Sequence, residues 1–150
     1  MIVNRTGLLR AGPIKNMLAD KVQGNLTSYG LVEAGYDIRI RQSITLSPEN
    51  RFSLASAIEE FQMPDHLVGI IHDKSTWARQ GLSVFNTVIE PKFFGGLTLE
   101  LVYHGKDTLE IPAGVGIAQV IFHSLTEEAQ YDGRYQHQST EPTPSRFKNL

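Results

Sequence analysis

From Gly35 onward, apolar residues recur at every second position in short runs, and this period of two limits the chain more than any other feature. Ile38 and Ile40 alternate with Arg39 and Arg41, and Leu97, Leu99, Leu101 and Tyr103 alternate with Thr98, Glu100 and Val102. Successive side chains of an extended strand point to opposite faces, so these runs read as half-buried strands. Val115 to Phe122 is apolar on both faces apart from Gln119, as expected of a strand covered on both sides, with Pro112 and Gly114 marking the turn before it. Short strands broken by glycine and proline predict a mainly β fold, a distorted jelly roll or barrel with one or two short helices. One helix is expected at Ile14, Met17 and Leu18, which have helical spacing, ending before Gly24.

A chain of 150 residues has the usual size of one domain, here 1–150, and buries about two-thirds of the surface its unfolded form exposes. At 41% apolar and 20% charged it reads as soluble and globular, with no membrane span. The amino terminus lacks both the apolar stretch and the cleavage site of a signal peptide, so a cytoplasmic location is the default. Pro142 and Pro144 fall close together, and the tail from about 129 to 150 is expected to be extended or mobile. There is no cysteine, which removes disulfides, thiolate nucleophiles and every cysteine-containing zinc site. The formal net charge of −2 offers nothing to a nucleic-acid polymer, so any anionic ligand must be held by local cations.

Two segments could carry chemistry. In Asp73-Lys74-Ser75-Thr76-Trp77-Ala78-Arg79-Gln80-Gly81 a Ser-Thr pair opens a helical turn closed by glycine. Free N–H groups, two hydroxyls and Arg79 one turn on from Ser75 would make a phosphate grip; the same pattern also describes an ordinary capped turn with a solvated arginine. In Phe93 to Leu101, Glu100 faces away from the leucine layer, towards solvent, a cleft or a partner subunit. If the site is closed, partial desolvation would raise its pKa into the range of a general base. The five histidines show no metal-binding spacing, and no GxSxG, GxxxxGK[ST] or GxGxxG is present. No protein-held metal, and in particular no zinc, is assigned.

Taken in order, GYDIRI at Gly35 to Ile40, MPDHLVGIIHDKSTWARQGL at Met63 to Leu82, IEPKFFGGLTLEL at Ile89 to Leu101, AGVGIAQVIF at Ala113 to Phe122 and YDGRYQHQ at Tyr131 to Gln138 resemble the dCTP deaminase family of the dUTPase-like superfamily. The likeness runs over nearly the whole chain. It implies a trimeric dUTPase-like fold that deaminates dCTP to dUTP and ammonia without zinc, with sites shared between subunits and magnesium travelling with the triphosphate. Carried over by position, it makes Glu100 the base that activates water for attack on C4 of cytosine, helped by Arg79 and Ser75. Lys74, Ser75, Thr76 and Arg79 fall in the block lining the triphosphate and catalytic centre. Glu90, Thr98 and Leu99 match positions near sugar and base, the last two partly through backbone groups. Gln119, Tyr131, Arg134 and Gln138 match contacts in the later strand and in a tail that closes over the nucleotide.

The chain departs from the family pattern in three places. Lys74 stands where the family has an arginine and offers a point charge in place of a planar fork. The loop from Leu82 to Glu90 is about two residues short, which bears on base selectivity. Glu90 stands where dUTP-hydrolysing relatives have an aspartate, which disfavours diphosphatase activity. A dUTP diphosphatase or bifunctional enzyme, and a nucleotide-binding trimer without turnover, are the other readings.

Overall fold

In the computed structural model, which describes residues 1–85 and 87–147, the stretch that is apolar on both faces becomes the centre of the largest sheet. The elements in chain order are β1 (Ile2–Val3), α1 (Arg5–Ala11), β2 (Lys21–Gln23), β3 (Ser28–Leu31), β4 (Tyr36–Arg39), β5 (Ile44–Leu46), β6 (Phe52–Gln62) and β7 (Leu67–Asp73). They continue with α2 (Ser75–Ala78), β8 (Leu82–Val84), β9 (Val88–Ile89), β10 (Phe94–Tyr103), β11 (Leu109–Ile111) and β12 (Gly116–Ser124). β12 pairs with β4 on one side and β7 on the other, in the order β2-β3-β4-β12-β7-β9, with β1 added on β12. A second sheet runs β6-β10-β8, and β5 pairs with β11 in a third; every pairing is antiparallel. Ile38, Leu99, Leu101, Ile117, Val120 and Phe122 are fully buried between these layers. This is the mainly β, jelly-roll-like fold expected, and no described helix is long and apolar enough to cross a membrane.

The amino-terminal helix does not lie at Ile14 to Leu18. It forms earlier, at Arg5–Ala11, and ends where Gly12 takes the left-handed conformation (φ 59°) and donates its N–H to the Leu8 carbonyl. Pro13 follows and cannot continue the helix. Ile14 instead bridges Phe61 of β6, so its apolar character serves a sheet contact, although its spacing from Met17 and Leu18 is that of a helix.

Two features of the sheets place the site. Thr98 pairs with Ser56, Glu100 with Leu54 and Val102 with Phe52, so these six share one face of the β6-β10 pair, opposite the core face of Leu99 and Leu101. On the other side of β10, the Phe85 N–H donates to the Glu100 carbonyl at 2.9 Å. The single-turn helix α2 is pinned by Trp77, which is 3% exposed and donates its indole N–H to the Gly116 carbonyl at 2.8 Å.

Candidate active site

Glu100 sits mid-strand with an aliphatic neighbour, Leu54, directly across from it. One carboxylate oxygen, Oε2, is buried and has no hydrogen-bond partner among the described residues. Burial pushes the carboxyl above the usual carboxylate range, an effect only partly offset by a hydrogen bond from its own backbone N–H. A carboxylate that is partly desolvated, elevated in pKa and left with an open acceptor is suited to taking a proton from a small polar molecule beside it.

Glu100 opens into a cavity of about 620 Å³, a volume within the usual range of a small-molecule site. Phe52 and Leu54 of β6, Thr87 to Glu90 around β9, and Leu97, Thr98 and Glu100 of β10 form its floor and walls, with Phe93. The tail supplies Tyr131, Tyr135, Gln138, Thr143 and Ser145. Tyr131 packs edge-on against Phe93 with ring centroids 6.2 Å apart, and its hydroxyl accepts the Tyr135 N–H at 3.2 Å. The Tyr135 hydroxyl in turn accepts the Arg146 N–H at 3.1 Å, a bond that lowers its pKa. The tail from about 129, expected to be extended or mobile, thus runs against the fold as far as it is described; its last three residues lie outside the described chain.

The residues expected at the site divide into groups. Glu90, Thr98, Glu100, Tyr131 and Gln138 line the one cavity, whereas Lys74, Ser75, Thr76, Arg79, Leu99, Gln119 and Arg134 do not. Ser75, Thr76 and Arg79 are exposed on or just after α2. Lys74 turns inward and pairs with Asp37; the two side chains are only 14% and 4% exposed, and the Lys74 ammonium also reaches the Ser28 hydroxyl at 3.5 Å. Its charge is therefore held inside the fold. Leu99 is buried on the opposite face of β10 from Glu100, which leaves only its backbone available to a ligand. Gln119 lies on β12 in register with Asp37 and His72, and Arg134 is exposed in the tail. Asn86, in the shortened loop, lies outside the described residues.

Phe52, Leu54, Phe93, Tyr135, Thr143 and Ser145 line the cavity without having been singled out as site residues. For Phe52 and Leu54 the missing information is register: their alternation shows a face, but only the pairing with Val102 and Glu100 shows which one. Among the described residues, no cluster of three or more His, Asp or Glu is placed to hold a metal.

Comparison with known proteins bears on family and fold. A family model described as dCTP deaminase-like matches residues 33–125. A dCTP deaminase of Nitratiruptor sp. is 31% identical over 160 residues, covering 85% of this chain and 86% of its own length. A dCTP deaminase of Helicobacter pylori is 32% identical over 169 residues, covering 87% and 88%. Among solved structures, the dUTPase of EIAV superposes with a TM-score of 0.58 at 20% identity, over 75% of this chain and 93% of that one, a likeness of fold.

Proposed function

The chain belongs to the dCTP deaminase family, and from that membership we propose that it converts dCTP and water to dUTP and ammonia, with Glu100 as general base and no zinc. The observation that carries the reading is Glu100 itself, which lines the cavity with a partly desolvated carboxyl whose Oε2 is buried without a partner among the described residues. Glu100 takes a proton from water as the oxygen attacks C4 of cytosine, and a tetrahedral carbon forms. That proton passes to N3; the same carboxyl then carries the proton of the new C4 hydroxyl to the exocyclic nitrogen, the C4–N bond breaks, and ammonia leaves a C4 carbonyl. An elevated pKa favours both directions of that shuttle near neutral pH. The apolar walls of Phe52, Leu54, Phe93 and Leu97 limit bulk water around it.

The phosphates need a second contribution. Among the described residues, Glu90 and Glu100 line the cavity and no lysine or arginine does, a poor setting for a polyanion. Magnesium arriving with the nucleotide neutralises part of the charge. The rest is assigned to Ser75, Thr76 and Arg79 of a neighbouring copy in a homotrimer, which accounts for one chain keeping these residues outside its own cavity. Glu90, Thr98 and the Leu99 backbone are read as facing sugar and base. Tyr131 and Gln138 are read as roof contacts.

The test is incubation with dCTP, dUTP and magnesium, resolving ammonia, dUTP, dUMP and pyrophosphate. Ammonia with accumulating dUTP is expected, and Glu100→Gln should abolish it while nucleotide affinity holds. Release of pyrophosphate from dUTP would instead favour a diphosphatase or bifunctional enzyme, the reading that Glu90 in place of an aspartate disfavours. Tight dCTP binding without product would indicate a non-catalytic trimer. Co-expressed Glu100→Gln and Arg79→Ala chains should regain activity that neither has alone; no recovery would sink the shared site.

A further inference from the structure

The tail does not merely lie near the cavity; the body of the fold meets it with a row of groups aimed at its backbone. The His137 N–H donates to the Phe94 carbonyl at 2.8 Å, and the Gly96 N–H donates to the Gln138 carbonyl at 3.0 Å. The Ser56 hydroxyl donates to the Thr140 carbonyl at 2.6 Å, and the Thr143 N–H donates to the Thr98 hydroxyl oxygen at 2.9 Å. Ser56 is fully buried and Thr98 is 7% exposed, so neither hydroxyl is a casual surface contact. The Ser56 oxygen also accepts the Gln42 amide N–H at 3.0 Å, and of the two acceptors in reach of its proton the Thr140 carbonyl at 2.6 Å is closer than the Gln42 side-chain carbonyl at 3.3 Å.

Shape complements these bonds. A Cβ on Gly96 would lie 2.2 Å from the Ser139 carbonyl oxygen, so the tail passes where any other residue would put a side chain. Each of these bonds engages a peptide group of the tail, so the surface selects a path and places few demands on tail side chains. The path carries Gln138, Thr143 and Ser145 to the cavity that holds Glu100.

We propose that Ser56, Gly96 and the Thr98 hydroxyl are positioning residues that seat 137–143 as a roof over the Glu100 cavity of the same chain before nucleotide arrives. The roof's task rests on the nucleotide reading above. On this proposal the Thr98 side chain acts through Thr143 and leaves only its backbone to the ligand. A preformed roof lowers the ordering cost of binding, so loosening it raises KM more than it lowers kcat.

The test is backbone amide exchange on the full, nucleotide-free chain, followed by kinetics. The amides of His137 and Thr143 should be protected without nucleotide. Thr98→Val, which removes the acceptor, should speed exchange at Thr143 about 3- to 10-fold, as expected for one hydrogen bond. Gly96→Ala should release both amides. Thr98→Val and Thr143→Pro remove opposite halves of one bond, so each should raise the KM for dCTP and the double variant should raise it no further than the larger single. Unprotected amides in the unmodified chain, no change at Thr143 in Thr98→Val, or multiplying KM effects would overturn the proposal. The exchange arm uses no substrate, so protected amides in a chain that fails to turn over dCTP would leave the seat standing and remove the deaminase reading.

Discussion

Glu100→Gln should stabilise the protein at neutral pH while removing the proposed activity, because a buried carboxylate oxygen has no partner among the described residues. Burying an unsatisfied polar group costs about 1–3 kcal/mol, and more when it is charged. Glu100 is only partly buried, so solvent screening brings the expected gain to about 1 kcal/mol, or about 2–4 °C in the melting temperature of a chain this size. The sign follows from proton linkage. The carboxyl is raised above its unfolded value, so between the two values the folded state binds more protons and stability falls as pH rises. The penalty is complete above the folded pKa and absent below the unfolded one. Glutamine removes it, so paired thermal melts at fixed protein concentration should show the variant higher at pH 8, with the gap closing towards about pH 4, near the unfolded pKa. A variant that melts lower at pH 8, or a gap that does not change with pH, would refute the claim that Glu100 is held in a desolvated, uncompensated state.

Two further predictions concern the frame around the site. Lys74→Met should destabilise the chain by about 3 kcal/mol in denaturant unfolding, because it leaves the Asp37 carboxylate buried and unpaired, and adding Asp37→Leu should recover most of the loss; equal stability of single and double variants would count against a buried pair. Lys92, at φ 60°, occupies the third position of a turn closed by the Phe93 N–H to the Glu90 carbonyl at 3.1 Å. Relief of left-handed strain in Lys92→Gly should outweigh the added freedom of the unfolded chain by about 0.5–1 kcal/mol and raise the melting temperature, and a fall would show the turn unstrained.

The parts of the fold legible in the sequence were those governed by local period. Strict alternation around Leu97 to Tyr103 became β10, and the doubly apolar stretch became β12 with neighbours on both sides. The same local rule failed at Ile14, Met17 and Leu18. Three apolar residues at positions i, i+3 and i+4 fit a helix, but Gly12 and Pro13 end the helix before them and β6 takes Ile14 as a bridge partner. Tertiary pairing decided that segment, and periodicity carries no information about it.

The site shows a sharper version of the same limit. That Glu100 leaves the leucine face was legible from the alternation of its strand, and the pairing with Leu54 shows that face; that a cavity lies there was not legible. Lys74 was placed in the triphosphate block only by the family resemblance, and its pairing with Asp37, 37 positions away, has no local signal in the sequence. The proposed positioning role of Ser56 has no local signal at all, since the hydroxyl meets Thr140 across 84 positions. Charge then separates what sequence order had joined. The cavity side of one chain carries two glutamates, and Arg79 lies elsewhere on its surface. On the function proposed above, a nucleoside triphosphate needs a carboxyl at its base and cations at its phosphates, so one chain would supply half of a site and Arg79 would come to Glu100 from another copy.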